Sequence, residues 1–122
     1  MIPRKFHRIW FGTRPRPTKY DEYWKKWQEL HPDAEFHTWT EDNLPALVNA
    51  AAYKAVAFTA KAGAVQMSHE RAVAVMRADI VAYELVHQFG GVYLNCDIAP
   101  LRPFDDLMDS SAFIGKEDDY YL

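Results

Sequence analysis

The sequence predicts an α/β fold: half of a doubly wound, mostly parallel sheet with helices on both faces. Three observations carry the prediction. Short apolar runs at Arg4 to Phe11, Glu35 to Trp39 and Val92 to Leu94 read as strands, and the stretches between them carry helical periodicity. That strand–helix alternation is the pattern of parallel strands joined by helices, and right-handed crossovers distribute those helices over both faces. The glycine pair Gly90-Gly91 ends a helical pattern and leads into a buried strand whose exit is polar, through Asn95 and Asp97. The 122 residues suffice for one domain with a modest core, taken as residues 1–122.

Arg4 to Phe11 alternates loosely and is expected to be central, with Gly12 permitting the turn after it. Thr13-Arg14-Pro15-Arg16-Pro17 is a loop, since proline lacks the donor that helix or central strand requires. Thr18 or Asp21 is the expected N-cap of the next helix. Its apolar face is Tyr20, Tyr23, Trp24, Trp27 and Leu30, and His31-Pro32-Asp33 ends it. Glu35 to Trp39 alternates as the second strand, and Thr40 is expected to cap a short helix through Leu44. Ala46 to Ala64 is alanine-rich and reads as helix, with Gly63 as its break. Val65 to Phe89 reads as helix again, interrupted at Asp79, which caps a fresh helix from Ile80 to Gln88. Leu101 to Met108 is a proline-bounded loop or short helix, and Phe113 to Gly115 a further short strand.

Composition excludes several functions. The formal net charge of −3 gives no broad electrostatic case for nucleic acid or an anionic membrane. Basic residues gather toward the N-terminus (Arg4, Lys5, Arg8, Arg14, Arg16, Lys19); they read mainly as solvated surface, with a local phosphate-facing role as the alternative. No apolar stretch is long enough for an integral membrane segment, and no secretory h-region is visible. One cysteine allows no internal disulfide, which suits a reducing compartment such as the cytoplasm. The five histidines have no zinc-helix spacing and read as structural or surface residues. Tyr83 and Tyr93 read as core or half-buried packing.

Chemistry concentrates at Asn95-Cys96-Asp97. If the strand stays extended, Asn95 and Asp97 share a face about 7 Å apart. Their oxygens suit a hard divalent cation, Mn²⁺ or Mg²⁺, that also holds a phosphate. The bland alternatives are a turn aspartate and a polar strand-end residue. Cys96 should face the other way as a small buried hydrophobe. A helix of about ten residues runs roughly 15 Å one way. A strand of about six residues returns roughly 20 Å. Asp79 and Asp97 therefore meet at one sheet edge, where Asp79 reads as an N-cap, a site residue, or both. Trp10, ending the first strand, lies at the same edge, either stacked on a ligand ring or packed in the core.

The run from Asp79 to Asp97, with Ile2 to Gly12 and Ala112 to Glu117, resembles DXD-motif glycosyltransferases. It is most similar to family 32, that of the yeast initiating α-1,6-mannosyltransferases and bacterial capsular-sugar transferases, whose GT-A core is shared with clostridial glucosylating toxins. The resemblance implies a short or truncated GT-A-like domain, a UDP- or GDP-linked sugar donor, a divalent metal and retention of anomeric configuration. It implies that Asp97 is the catalytic metal ligand, that Asn95 and Asp79 contact ribose or sugar, and that Trp10 flanks the base. The sequence departs from the family twice. Asn95 stands where aspartate is usual, and Ala82 where an arginine contacts the donor; Arg77 or Arg71 are the substitutes in reach. Family members are longer, so a minimal or truncated member, or a second subunit completing the site, is expected. The rival reading is a decayed or split nucleotide-sugar-binding module whose exposed sheet edge meets a partner. A purely structural glycine turn is the third. The acceptor, whether sugar, glycan or protein, is not legible.

Overall fold

A computed structural model describes residues 1–59 and 67–116. The elements are β1 (Lys5–Ile9), α1 (Thr18–Leu30), β2 (Glu35–Trp39), α2 (Ala50–Thr59), α3 (His69–Phe89), β3 (Val92–Tyr93) and α4 (Asp105–Met108). The strands form one parallel sheet in the order β2-β1-β3, with β1 central as expected. Lys5 pairs with Glu35 and Ile9 with Trp39 on one side; Phe6 pairs with Val92 on the other.

Period-two alternation sorts the side chains onto two faces. Phe6, Phe36, Val92 and Leu94 face α1 and α4, where they meet Trp24, Trp27 and Met108. Ile9, Trp39 and Tyr93 face α3, where they meet Val81 and Leu85. Helices thus cover both faces, and the α/β expectation holds. Phe6 is fully buried, 4.9 Å from the Phe36 ring and 4.6 Å from that of His31.

Buried His7 fastens the sheet to the glycine turn. The Trp39 indole N–H can only donate, so at 3.2 Å His7 Nδ1 must accept. The proton then sits on Nε2, which donates to the Gly90 carbonyl at 2.9 Å. Gly90 closes α3 with a positive φ of 67°, its N–H bonded to the Val86 carbonyl, and Gly91 follows at 91°. A side chain on Gly91 would meet the Lys5 carbonyl oxygen at 2.2 Å, so only glycine lets β3 enter beside β1.

Several local expectations give way. Pro17, not Thr18 or Asp21, occupies the N-cap position of α1; Asp21 instead bonds Arg8 and Arg16 from the first turn. No helix forms from Thr40 to Leu44. Asn43 Oδ1 accepts from the Thr40 N–H and Thr40 Oγ1 from the Asp42 N–H, so side chains satisfy the donors in a turn. The alanine-rich helix begins at Ala50 rather than Ala46 and runs to Thr59 within the described residues; the rest of the expected stretch, with Gly63, lies outside them. Helix α3 runs unbroken through Asp79, capped at Ser68, whose Oγ accepts from the Arg71 N–H. Phe113 to Gly115 forms no strand; Phe113 packs its ring 5.3 Å from Phe104 instead. Tyr83 is 80% exposed rather than packed. Among the described residues no helix is long and apolar enough to cross a membrane.

Candidate functional site

The carboxyl ends of β1 and β3 open onto a cavity of about 340 Å³, within the usual range for small-molecule sites. Its walls follow from element lengths. Five-residue β1 spans about 17 Å, whereas 21-residue α3 spans about 31 Å. The helix comes back antiparallel to the strands, and its N-terminal half overhangs the sheet edge as one wall. The loop after β1 supplies Trp10, Gly12 and Arg14; α1 adds Tyr20; the segment after β3 supplies Asn95, Cys96 and Asp97.

All four residues nominated from sequence, Trp10, Asp79, Asn95 and Asp97, line this one cavity. Their local geometry differs from expectation. Pairing beyond β3 ends with the Leu94 N–H bonded to the His7 carbonyl at 2.9 Å, and the Ile98 N–H then bonds the Asn95 carbonyl at 3.3 Å. Asn95 to Ile98 is therefore a turn, and strand alternation does not set where Asn95 and Asp97 point. The turn is tied back to β1 by the Cys96 thiol, which donates to the Ile9 carbonyl at 3.3 Å. Cys96 also lines the cavity and is only partly buried, contrary to its expected place on the opposite face. Burial pushes its thiol pKa up, against any role as a nucleophile.

Asp79 is an exposed mid-helix residue and not an N-cap, yet the helix-out, strand-back arithmetic delivers it to the cavity beside Tyr93. Burial, reinforced by the neighbouring Asp79 and Asp97 carboxylates, holds the Tyr93 phenol protonated far above neutral pH. Trp10 belongs to none of the three core clusters. Its indole N–H donates to the Arg14 carbonyl at 2.8 Å and its ring stands edge-on to Tyr20 at 6.2 Å.

Ala82 packs in the α3 core cluster and offers the cavity nothing. Of its two substitutes, Arg77 is taken by Tyr53, donating to the carbonyl at 2.9 Å and lying 4.4 Å over the ring. Arg71 does line the cavity. Sequence reasoning missed Glu70 and Tyr20. Glu70 accepts from the Thr13 N–H and hydroxyl, which lower its carboxyl pKa, and so fixes the loop that carries Arg14. The available signal was the Gly12 turn at the strand end, which any partner on α3 could grip.

The donor set suits a hard cation of a particular kind. Asp97 and Asn95 offer a carboxylate and an amide oxygen. Among the described residues no three His, Cys, Asp or Glu side chains gather to cage a metal. A closed zinc site is therefore unsuited, whereas Mg²⁺ or Mn²⁺ held by one or two carboxylates, water and a ligand's phosphates fits.

A family model described as the glycosyltransferase sugar-binding region containing the DXD motif matches residues 17–114. The chain belongs to this glycosyltransferase family. Among curated relatives, it is 29% identical over 115 residues to inositol phosphoceramide mannosyltransferase 3 of Schizosaccharomyces pombe, covering 94% of this chain and 30% of that protein. It is 26% identical over 116 residues to the initiation-specific alpha-1,6-mannosyltransferase of Candida albicans, covering 93% of the chain and 29% of the relative. The mannosyl phosphorylinositol ceramide synthase SUR1 of Saccharomyces cerevisiae matches at 26% over 116 residues, or 95% and 28% of the two chains. The chain thus spans about 30% of the length of the relatives it matches. No solved structure matches it. The small all-parallel α/β sheet is consistent with a GT-A-like glycosyltransferase fold.

Proposed function

We propose that the cavity is the donor site of a metal-dependent, retaining hexosyltransferase. Its substrate is a UDP- or GDP-linked sugar. The relatives' names point to mannose as the transferred group and to a glycan or phosphoinositol lipid as acceptor. The observation that carries this reading is the convergence of Trp10, Asp79, Asn95 and Asp97, from three segments, on one cavity at the carboxyl edge of a parallel sheet. In the reaction the bond between the anomeric carbon and the diphosphate oxygen breaks. The acceptor hydroxyl oxygen bonds that carbon and passes its proton to the diphosphate oxygen that leaves, and the nucleoside diphosphate departs. Asp97 and Asn95 would hold Mn²⁺ or Mg²⁺ against the diphosphate; when bound, the ion offsets the charge that develops on the leaving group. Asparagine contributes no charge, so metal affinity rests mainly on Asp97. The Asp79 carboxylate accepts from sugar or ribose hydroxyls. With its N–H turned to Arg14, the Trp10 ring is left to stack on the base. Tyr93, held as a phenol, keeps its O–H to donate and its oxygen to accept.

Calorimetric titration with UDP and GDP, each with and without Mn²⁺, tests this. Metal-dependent binding of one nucleotide, weakened at least about tenfold in Asp97→Ala by loss of a charged ligand, is expected. A folded Asp97→Ala protein that binds and turns over like wild type rules the assignment out.

A further inference from the structure

The chain has seven arginines, all among the described residues. Five are committed within the fold. Arg4 pairs with Asp105 at 3.4 Å, Arg8 and Arg16 with Asp21 at 3.0 and 2.7 Å, and Arg102 with Asp106 at 3.5 Å. Arg77 donates to the Tyr53 carbonyl. Only Arg14 and Arg71 have no hydrogen bond from the guanidinium and no ion pair among the described residues, and these two are the arginines that line the cavity. Even exposed Arg102, at 75% side-chain exposure, has found a carboxylate, so exposure alone does not account for the pair.

The loop bearing Arg14 is built to hold it there. The Gly12 N–H donates to Glu41 at 2.6 Å, the Thr13 hydroxyl to Glu70 at 2.7 Å, and the Trp10 indole to the Arg14 carbonyl. These three anchors fix the loop backbone and make no bond to the guanidinium. The Glu70 carboxylate feels the Arg14 charge, but its Oε1 is bonded to both Thr13 donors. Arg71 stands in the first turn of α3, where the backbone N–H groups also favour negative charge. It lies eight residues before Asp79, about 12 Å along the helix axis. The two arginines therefore hold a different part of the cavity from the Asp79, Tyr93 and Asp97 group.

We infer that Arg14 and Arg71 form a phosphoryl-binding pair at the α3 N-terminal end of the cavity. Guanidinium groups bind phosphate oxygens through forked, charge-assisted hydrogen bonds, and two of them suit a doubly charged group. The phosphoryl group could come from the donor's diphosphate or from a phosphate on the acceptor. The inference rests on the reading of the cavity as a sugar-transfer site, but its test does not depend on that reading.

The test is isothermal titration of wild type, Arg14→Gln, Arg71→Gln and the double variant, with Arg102→Gln as control. The probes are UDP or GDP with Mn²⁺, and inorganic phosphate alone; circular dichroism verifies folding. Weaker nucleotide binding by about tenfold per arginine, with Arg102→Gln unchanged, supports the pair and assigns it to the donor. Unchanged nucleotide binding with phosphate binding lost in the double variant supports the pair and assigns it to an acceptor phosphate. If wild type binds phosphate through this pair but neither nucleotide, the donor reading fails and the pair stands. If the double variant binds both probes within twofold of wild type, or wild type binds neither, the pair is refuted.

Discussion

Substituting Gly91 by alanine probes the junction on which sheet and site both depend. Gly91 has a φ of 91°, and a Cβ there meets the Lys5 oxygen at 2.2 Å and the Lys5 carbonyl carbon at 3.0 Å. Holding alanine in left-handed backbone costs about 1–2 kcal/mol. The clash is with backbone at the start of the central strand, so no side-chain rotation relieves it; overpacking of this kind adds about 1–3 kcal/mol. The sum of about 2–5 kcal/mol is a large part of an ordinary domain's stability of about 5–15 kcal/mol. For a chain of this size the melting temperature should fall by roughly 10–20 °C. Urea unfolding followed by fluorescence of the buried Trp24 and Trp27 reads the loss directly. Gly115→Ala is the internal comparison: no heavy atom lies within 4 Å of the added methyl, so its effect should stay within about 0.5 kcal/mol. Equal midpoints for the two variants would refute the reasoning, because the Lys5 carbonyl would then be free to yield. Since β3 carries the Asn95 turn directly, nucleotide affinity should fall with stability in Gly91→Ala.

Two further outcomes are expected. Burial lowers the His7 pKa below its ordinary value of about 6.5, helped by His37 and Lys5 and opposed by the Gly90 bond. The folded state then binds fewer protons than the unfolded one, so this stability is full above about pH 6.5 and lost as pH falls below it. The unfolding midpoint should be flat from about pH 8 to 7 and decline toward pH 5; an identical slope in His7→Gln would remove His7 as the cause. Arg8, with 6% side-chain exposure, depends on Asp21 for its ion pair, while Asp21 is 49% exposed. Asp21→Asn should therefore cost about 1–2 kcal/mol in chemical denaturation, a buried-pair loss discounted for solvent screening. No loss would mean that Arg8 is satisfied by Thr38 and the Trp24 face alone.

Strong local signals carried the strands. Alternation at Glu35-Phe36-His37-Thr38-Trp39 defined β2 to the residue, and the glycine pair located β3. Where two local choices compete, sequence is a poorer guide. Thr40 can cap a helix or bond a turn, and Asn43 decided for the turn. Asp79 reads as a cap because aspartate is a weak helix former. Inside a helix that already packs Val81 and Leu85 on the sheet, one unfavourable residue does not break the run. The candidate site was legible where chain length could be converted to distance, as for Asp79 and Asp97. It was not legible where contacts join distant loops, as between Thr13 and Glu70, since no local pattern encodes that meeting.

The unequal lengths of α3 and the strands divide that helix between two supports. Its C-terminal half rests on the sheet through Val81 and Leu85, whereas its N-terminal half leans on α2, with Ala72 packed against Val56. The cavity's floor therefore rests on the sheet, while part of its wall is braced by α2. A ligand that touches both Asp97 and Arg71 stabilises the arrangement in which α2, which lends no described residue to the cavity, holds that wall in place.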